Sequence, residues 1–215
     1  MLIDLHVHTR FSDGKMSVEE VVRAALSRGL GGIAVTDHDC LEGGKALTRY
    51  VKKHGIGIIA IPGIEVSTKY AHILVYGVSE LPKSESILEL IDKIHDDNGI
   101  AIFAHPFGKF FLFKYPLVDF KEALEKIDAI ECINGRVPWR SNLRAFELAR
   151  FLGKPCIGGS DAHIPEEVGV AYTEVYDEVL SVVDFIEVLR KAKVKAFGGR
   201  SFASIVKSII MKHLR

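Results

Sequence analysis

The sequence predicts an α/β protein in which parallel strands, joined by helical crossovers, close into a β/α barrel. Three observations carry this expectation. Short apolar stretches rich in β-branched residues alternate with helical patterns along the 215 residues. The helical patterns stop at glycines, which permit the left-handed backbone of a helix C-terminus. Histidines and carboxylates collect at the ends of the predicted strands, where a closed barrel gathers them on one rim and an open sheet would disperse them.

Strands are expected at 2–7, 32–36, 56–64, 73–78, 100–104, 129–133 and 156–158. After the first, Ser17 and Glu20 form an S-x-x-E capping box whose hydroxyl and carboxylate satisfy orphan amides, and the helix it opens stops at Gly29. Helical patterns over 41–54, 84–98 and 139–152 stop at Gly55, Gly99 and Gly153, and Ser181 with Asp184 opens another. The last pattern, 202–214, has Phe202, Ile205, Ile209 and Ile210 on one side and is expected to pack back on the barrel. One connection departs from the rule. Glu65 to His72 is shorter than the roughly dozen residues a parallel crossover takes, so an antiparallel excursion is expected there. A single domain over 1–215 accommodates all of these elements.

Composition narrows the function. Lys and Arg total 28, as do Asp and Glu, so the formal net charge is zero and the basic excess that grips long nucleic acid is missing; small charged substrates fit better. The 48% hydrophobic and 26% charged content excludes collagenous, disordered and coiled-coil classes. Cys40, Cys132 and Cys156 are odd in number, widely spaced and without a CxxC pair, so neither a disulfide framework nor a thiolate zinc site is expected. Cys132 and Cys156 read as buried thiols within strands, and the chain as cytoplasmic. No apolar run approaches the ~18 residues of a membrane span, and the N-terminus does not read as a signal peptide.

In Asp4-Leu5-His6-Val7-His8 the strand period of two puts Asp4, His6 and His8 on one face. The same spacing returns in Ser160-Asp161-Ala162-His163, and Thr36-Asp37-His38-Asp39 follows the second strand. Glu65 closes the third strand, His72 opens the fourth and His105 follows the fifth. A lone strand histidine is more often a core residue bonded to a backbone carbonyl. The repetition at successive strand ends is what points to metal, because burying so many ionisable groups without cations is costly. Imidazole and carboxylate donors without thiolates suit Mn²⁺, Fe²⁺ or Zn²⁺. The set is too large for one ion, and a bridging carboxylate, with Glu65 the candidate, would let two or three share it, as in sites for in-line phosphoryl displacement.

His6-Val7-His8-Thr9 with Ser12-Asp13-Gly14, Thr36-Asp37-His38, Glu65, His72, His105-Pro106 and Ser160-Asp161-Ala162-His163 resemble the motifs of the PHP (polymerase and histidinol phosphatase) family, over residues 4–163. The resemblance implies a distorted seven-stranded, TIM-like β/α barrel of PHP type with a trinuclear metal site and phosphoesterase activity. It also implies a ligand set: His6, His8, Glu65 and Asp161 on the first metal, Asp13, His38 and His163 on the second, Glu65, His72 and His105 on the third. Ser12-Asp13-Gly14 is similar to the nucleotide-phosphatase branch, in which aspartate replaces a histidine common in histidinol phosphatases. The stretch from His72 to His105 is too short for the helical insertion of the larger nucleotide phosphatases, so the resemblance does not set substrate size.

Asp4 and Asp37 are read as carboxylates that orient imidazoles, and Asp39 as a catalytic candidate for proton delivery. Arg136, also a catalytic candidate, and Arg140 follow the sixth strand and could clamp phosphate; Arg10 beside His8 and Arg200 in Gly198-Gly199-Arg200-Ser201 complete the substrate-binding candidates. The aromatic residues of 103–120 could stack on a base, form a dimer contact or pack a loop. His54, His95 and His213 read as surface residues without acidic strand-end partners. The expected function is hydrolysis of a small phosphomonoester, a nucleotide first, by metal-activated hydroxide with two to three Mn, Fe or Zn ions. Alternatives are an exonuclease on short RNA or DNA, a histidinol-phosphate phosphatase, and a noncatalytic metal-binding or partner-binding module of the kind appended to polymerases. No membrane partner is expected, and no motif addresses the oligomeric state.

Overall fold

The computed structural model describes residues 1–69, 71–84, 86–108 and 117–199, the first four residues of the last segment as backbone. The elements are β1 (Leu2–Asp4), α1 (Val18–Ser27), β2 (Gly32–Val35), α2 (Glu42–His54), β3 (Ile59–Ser67), β4 (His72–Tyr76), α3 (Ile87–Asp96), β5 (Ile100–Phe103), α4 (Leu117–Lys126), β6 (Ala129–Asn134), α5 (Trp139–Leu152), β7 (Cys156–Gly159), β8 (Ala171–Val175), α6 (Val182–Arg190) and β9 (Val194–Gly198). Hydrogen-bonded neighbours run β7-β6-β5-β4-β3-β2-β1-β8-β9. All seven expected strands are present and follow one another around the sheet. The expected excursion between Glu65 and His72 is an antiparallel hairpin in which Ser67 pairs with His72. β4 and β5 are also antiparallel, and the remaining pairs among β1–β7 are parallel.

Among the described residues the sheet has nine strands where seven were expected. β8 runs antiparallel to β1, with Ile3 opposite Thr173, and β9 antiparallel to β8. Beyond the end of β1 the chain turns to β7's continuation instead: Val7 bridges Ala162, and the His8 N–H donates to the Ala162 carbonyl at 2.8 Å. The result is a nearly closed, barrel-like sheet. The alternation of buried and half-buried residues along Ala171-Tyr172-Thr173-Glu174-Val175 is the period-two signal by which β8 could have been found.

The helix limits follow from local chemistry. The capping box of α1 is formed, with the Ser17 hydroxyl accepting from the Glu20 N–H and the Glu20 carboxylate accepting from the Ser17 N–H. Gly55 and Gly153 end α2 and α5 in the left-handed conformation. After α3 that role falls to Asn98 (φ +60°) and not to Gly99, since asparagine tolerates the left-handed region better than other side chains.

One apolar cluster takes residues from every strand from β1 to β8, including Ile3, Ala34, Ile61, Tyr76, Ile100, Ala129, Ile157 and Val175, and is therefore the barrel interior. Phe185, Ile186 and Leu189 of α6 complete it. The Arg190 guanidinium donates to the Gly99 carbonyl, just before β5, so α6 closes the end where the parallel strands begin. Two further clusters fill the space under α3 and α5 and under α1 and α2.

Cys132 and Cys156 are joined by a disulfide that links β6 to β7, which corrects their reading as free thiols. Twenty-four residues of separation hide a pairing that the adjacency of the two strands creates. Among the described residues no helix is long and apolar enough to cross a membrane. The expected helix 202–214, Arg200, His213 and most of the aromatic run up to residue 120 lie outside the described residues.

Candidate metal centre

Glu65 lies at the middle of the rim, almost wholly buried, because β3 outruns β2 and continues into the hairpin with β4. Its Oε2 is 3.0 Å from Nε2 of both His6 and His8. Its Oε1 is 2.7 Å from His72 Nδ1 and 3.0 Å from His105 Nε2. Asp161, after β7, brings Oδ1 within 3.4 Å of His8 Nε2 and 3.9 Å of His6 Nε2. Asp13, on the loop before α1, lies 3.0 Å from His163 Nε2 and 3.5 Å from His8 Nδ1. The His38 ring stacks at a tilt 4.7 Å from that of His8. All nine expected ligand residues therefore meet in one place.

Their donor atoms form triplets within 4.8 Å of one another, among them His6, His8 and Glu65; His8, Asp13 and His38; and His38, Glu65 and His72. His8 Nδ1 is buried and makes no hydrogen bond, which leaves a ring nitrogen facing Asp13 with its lone pair or proton unused. A divalent cation would satisfy such an atom, and nitrogen and oxygen donors of this kind suit Mn²⁺, Fe²⁺ and Zn²⁺. The residues present fit divalent metal.

The electrostatics point the same way. Burial alone would push His6 down, but the Glu131 and Glu65 carboxylates outweigh it and its pKa stands well above the ordinary value. His8 is likewise buried, yet hydrogen bonds to Asp161 and Glu65 raise it to about 9. His105 rises through Glu65 despite its burial. Burial would raise Glu65 and Asp161, but His6 before all others holds both below the usual carboxylate range. The cluster favours positive charge at its centre, whether brought by protons or by metal.

Other expected site residues are placed differently. Asp37 does not orient an imidazole: it accepts from the Thr9 N–H, the Thr9 hydroxyl and the Ser12 hydroxyl, each at 2.7 Å, and so clamps the loop that carries Asp13. Gly43 is required beside it, since a Cβ there would sit 1.8 Å from Asp37 Oδ2. Asp4 accepts from the backbone N–H groups of His6, Ser160 and Gly169, tying β1 to the segments around β7, and burial raises it to about 6. It departs from the shared face because β1 ends at Asp4 and not at Val7. Asp39 is exposed and accepts from the Ser67 N–H. Arg10 is engaged with the Lys15 carbonyl and Glu20. Arg136 is exposed in the β6–α5 turn and Arg140 in the first turn of α5. His95 does have an acidic partner, Asp128 at 2.9 Å, which lies just before β6, at the strand's opposite end from the histidine and carboxylate cluster.

Sequence reasoning missed Glu131 and Asn134. Glu131 is fully buried, with Oε1 2.9 Å from His6 Nδ1 and Oε2 accepting the His105 N–H at 2.7 Å. Asn134 Nδ2 donates to Glu131 and, at 3.3 Å, to Asp161. The signal was available: a glutamate inside an otherwise apolar strand is a charge that needs a buried partner.

A PHP-associated family model matches residues 139–194. An uncharacterized protein of Methanocaldococcus jannaschii is 34% identical over 120 residues, which cover 50% of this chain and 69% of that relative. A 3',5'-nucleoside bisphosphate phosphatase of Chromobacterium violaceum is 36% identical over 80 residues, 35% of this chain and 27% of the relative. A 5'-3' exoribonuclease of Salmonella typhimurium is 37% identical over 68 residues, 32% of this chain and 23% of the relative. In fold, the chain is similar to a two-domain protein from Bacteroides vulgatus that contains a predicted PHP-like metal-dependent phosphoesterase. That similarity has a TM-score of 0.75 at 19% identity and spans 92% of this chain and 64% of the other. The motifs at the strand ends, the barrel that gathers them and these similarities together lead to one conclusion: the chain belongs to the PHP family of phosphoesterases.

Proposed function

We propose that the protein removes phosphate from a small phosphomonoester, with nucleotides as the substrate class. The observation that carries this reading is the division of Glu65, one oxygen facing His6 and His8 and the other facing His72 and His105. A carboxylate shared in this way suits two or three Mn²⁺, Fe²⁺ or Zn²⁺ ions. His6, His8, Glu65 and Asp161 would hold one, Asp13, His38 and His163 another, and Glu65, His72 and His105 a third. Ions so bound supply acidification of a water and neutralisation of phosphate charge.

The protein's own part is orientation and access. His6, His8 and Glu65 form a buried floor, whereas His38, His72 and Asp13 are 29%, 30% and 56% exposed, so the phosphate group enters from their side. Arg136 and Arg140 offer guanidinium groups to the phosphate oxygens. Asp39, next to His38, carries protons to and from the leaving oxygen. The relative named as a nucleoside bisphosphate phosphatase supports the substrate class. The relative named as an exoribonuclease supports a second reading, removal of terminal nucleotides from short RNA at the same centre.

The test is elemental analysis followed by phosphate release from nucleotides, histidinol phosphate and short oligonucleotides after loading with Mn²⁺, Fe²⁺ or Zn²⁺. Two or three ions per chain with selective release from mononucleotides is the expected result. Stepwise shortening of oligonucleotides would favour the second reading, and a metal-loaded protein inert on the whole panel would overturn both.

A further inference from the structure

β6 does not pair evenly with β7. Glu131 stands opposite Ile157 and Ile133 opposite Gly158, so Cys132 is an extra residue, a β-bulge. In an even strand, residues three apart face opposite sides of the sheet. The bulge cancels that inversion: Ile130, Cys132 and Ile133 all pack in apolar clusters outside the barrel interior, while Glu131 and Asn134 both point to the metal cluster. β7 makes room for them, since a Cβ at Gly159 would lie 2.5 Å from the His6 Cβ and 2.9 Å from Glu131 Oε1.

We propose that Glu131 and Asn134 are positioning residues of the metal centre, Glu131 holding the His6 ring and the His105 backbone, and Asn134 holding Asp161. This inference rests on the reading of His6, His105 and Asp161 as metal ligands. Glu131 Oε1 takes the Nδ1–H of His6, which leaves Nε2 as the ring's free donor atom, the atom that faces His8 and Glu65. Glu131 Oε2 takes the N–H of His105, whose φ of +27° is unusual for a side chain that must reach Glu65. Asp161 is also left-handed, at φ +54°, and Asn134 Nδ2 donates to its Oδ2. Glu131 accepts on both oxygens, from His6 at Oε1 and from His105 and Asn134 at Oε2, so glutamine, with one acceptor oxygen and one donor nitrogen, can serve only one of the two sides.

The test combines calorimetric titration of Mn²⁺ into metal-free protein with ¹⁵N spectra of histidine-labelled, Zn²⁺-loaded protein. In the unaltered chain His6 is expected to keep its proton on Nδ1. Glu131→Gln is expected to bind Mn²⁺ about ten- to a hundredfold more weakly and to lose that Nδ1–H signal, while its circular dichroism stays that of a folded α/β chain. Asn134→Ala is expected to weaken Mn²⁺ with the His6 signal intact. An unprotonated His6 Nδ1 in the unaltered chain overturns the inference whether or not Glu131→Gln folds. A folded Glu131→Gln with unaltered affinity and spectrum also overturns it and leaves the metal-centre reading standing. Failure of the unaltered chain to bind Mn²⁺ or Zn²⁺ overturns that reading first and this inference with it.

Discussion

The two ends of the barrel are lined by the same strands and differ completely in chemistry. Where the parallel strands begin, Ile3, Ile61, Tyr76 and Ile100 meet Phe185 and Leu189 of α6, and the Tyr76 and Phe185 rings stand edge to face at 5.6 Å. The lone polar atom of Tyr76 is satisfied by the Leu5 carbonyl, and its burial pushes the phenol pKa well up. Where the strands end, His6, His8, Glu65 and Glu131 are just as buried but fully polar. The difference teaches that burial serves two purposes along one axis: apolar area stabilises the fold at one end, and at the other a polar network stores affinity for cations.

Breaking that division at its centre gives the largest expected effect. Glu65→Gln should reduce both Mn²⁺ uptake and phosphate release by more than about a hundredfold, beyond what loss of a supporting residue does, with elemental analysis and a release assay as the measurements. Ordinary stoichiometry and turnover would remove Glu65 as the shared ligand. At the apolar end, Phe185→Ala should destabilise the chain by about 3–5 kcal/mol in urea unfolding, with metal content per folded molecule unchanged. A proportional loss of metal would mean that the two ends are not separable.

A pH series sharpens the comparison further. His8, raised to about 9 from an ordinary 6.5, carries a proton in the metal-free protein near neutrality, so metal binding must displace protons. Mn²⁺ affinity should rise with pH through about 9, and calorimetry in buffers of different ionisation heat should report the released protons. The same raised pKa stabilises the metal-free fold in full below 6.5, and that contribution is lost as pH rises through about 9. Metal-free protein should therefore lose melting temperature on the alkaline side, and metal-loaded protein should not. The smallest effect is expected far from either end: Ser17→Ala removes the α1 cap, costs about 1 kcal/mol and leaves Mn²⁺ titration unmoved.

The site was more legible than the frame around it. His6, His8, His38, Glu65, His105, Asp161 and His163 could be singled out because they are polar at or just beyond the ends of short apolar stretches, and a chain of alternating strands and helices puts such ends together; His72 opens such a stretch, and Asp13 came from the family resemblance alone. Asp4 and Asp37 sat in the same motifs and were assigned to imidazoles, yet they hold backbone and hydroxyl groups, because a carboxylate takes whichever donors the fold brings nearest. β8 carried its own alternation and went unread between more strongly marked elements.

Local order of residues was enough for the capping box of α1, the glycine stops of α2 and α5, the hairpin at 65–72 and the gathering of histidines and carboxylates at the strand ends, because each depends on neighbours in the chain or on the alternation of elements. Long-range pairing decided the rest. The disulfide between Cys132 and Cys156, the α6 plug and the inward turn of Glu131 and Asn134 arise only when β6 lies against β7 and the barrel closes. One residue of register reverses which side of a sheet a side chain faces, and register belongs to two strands at once.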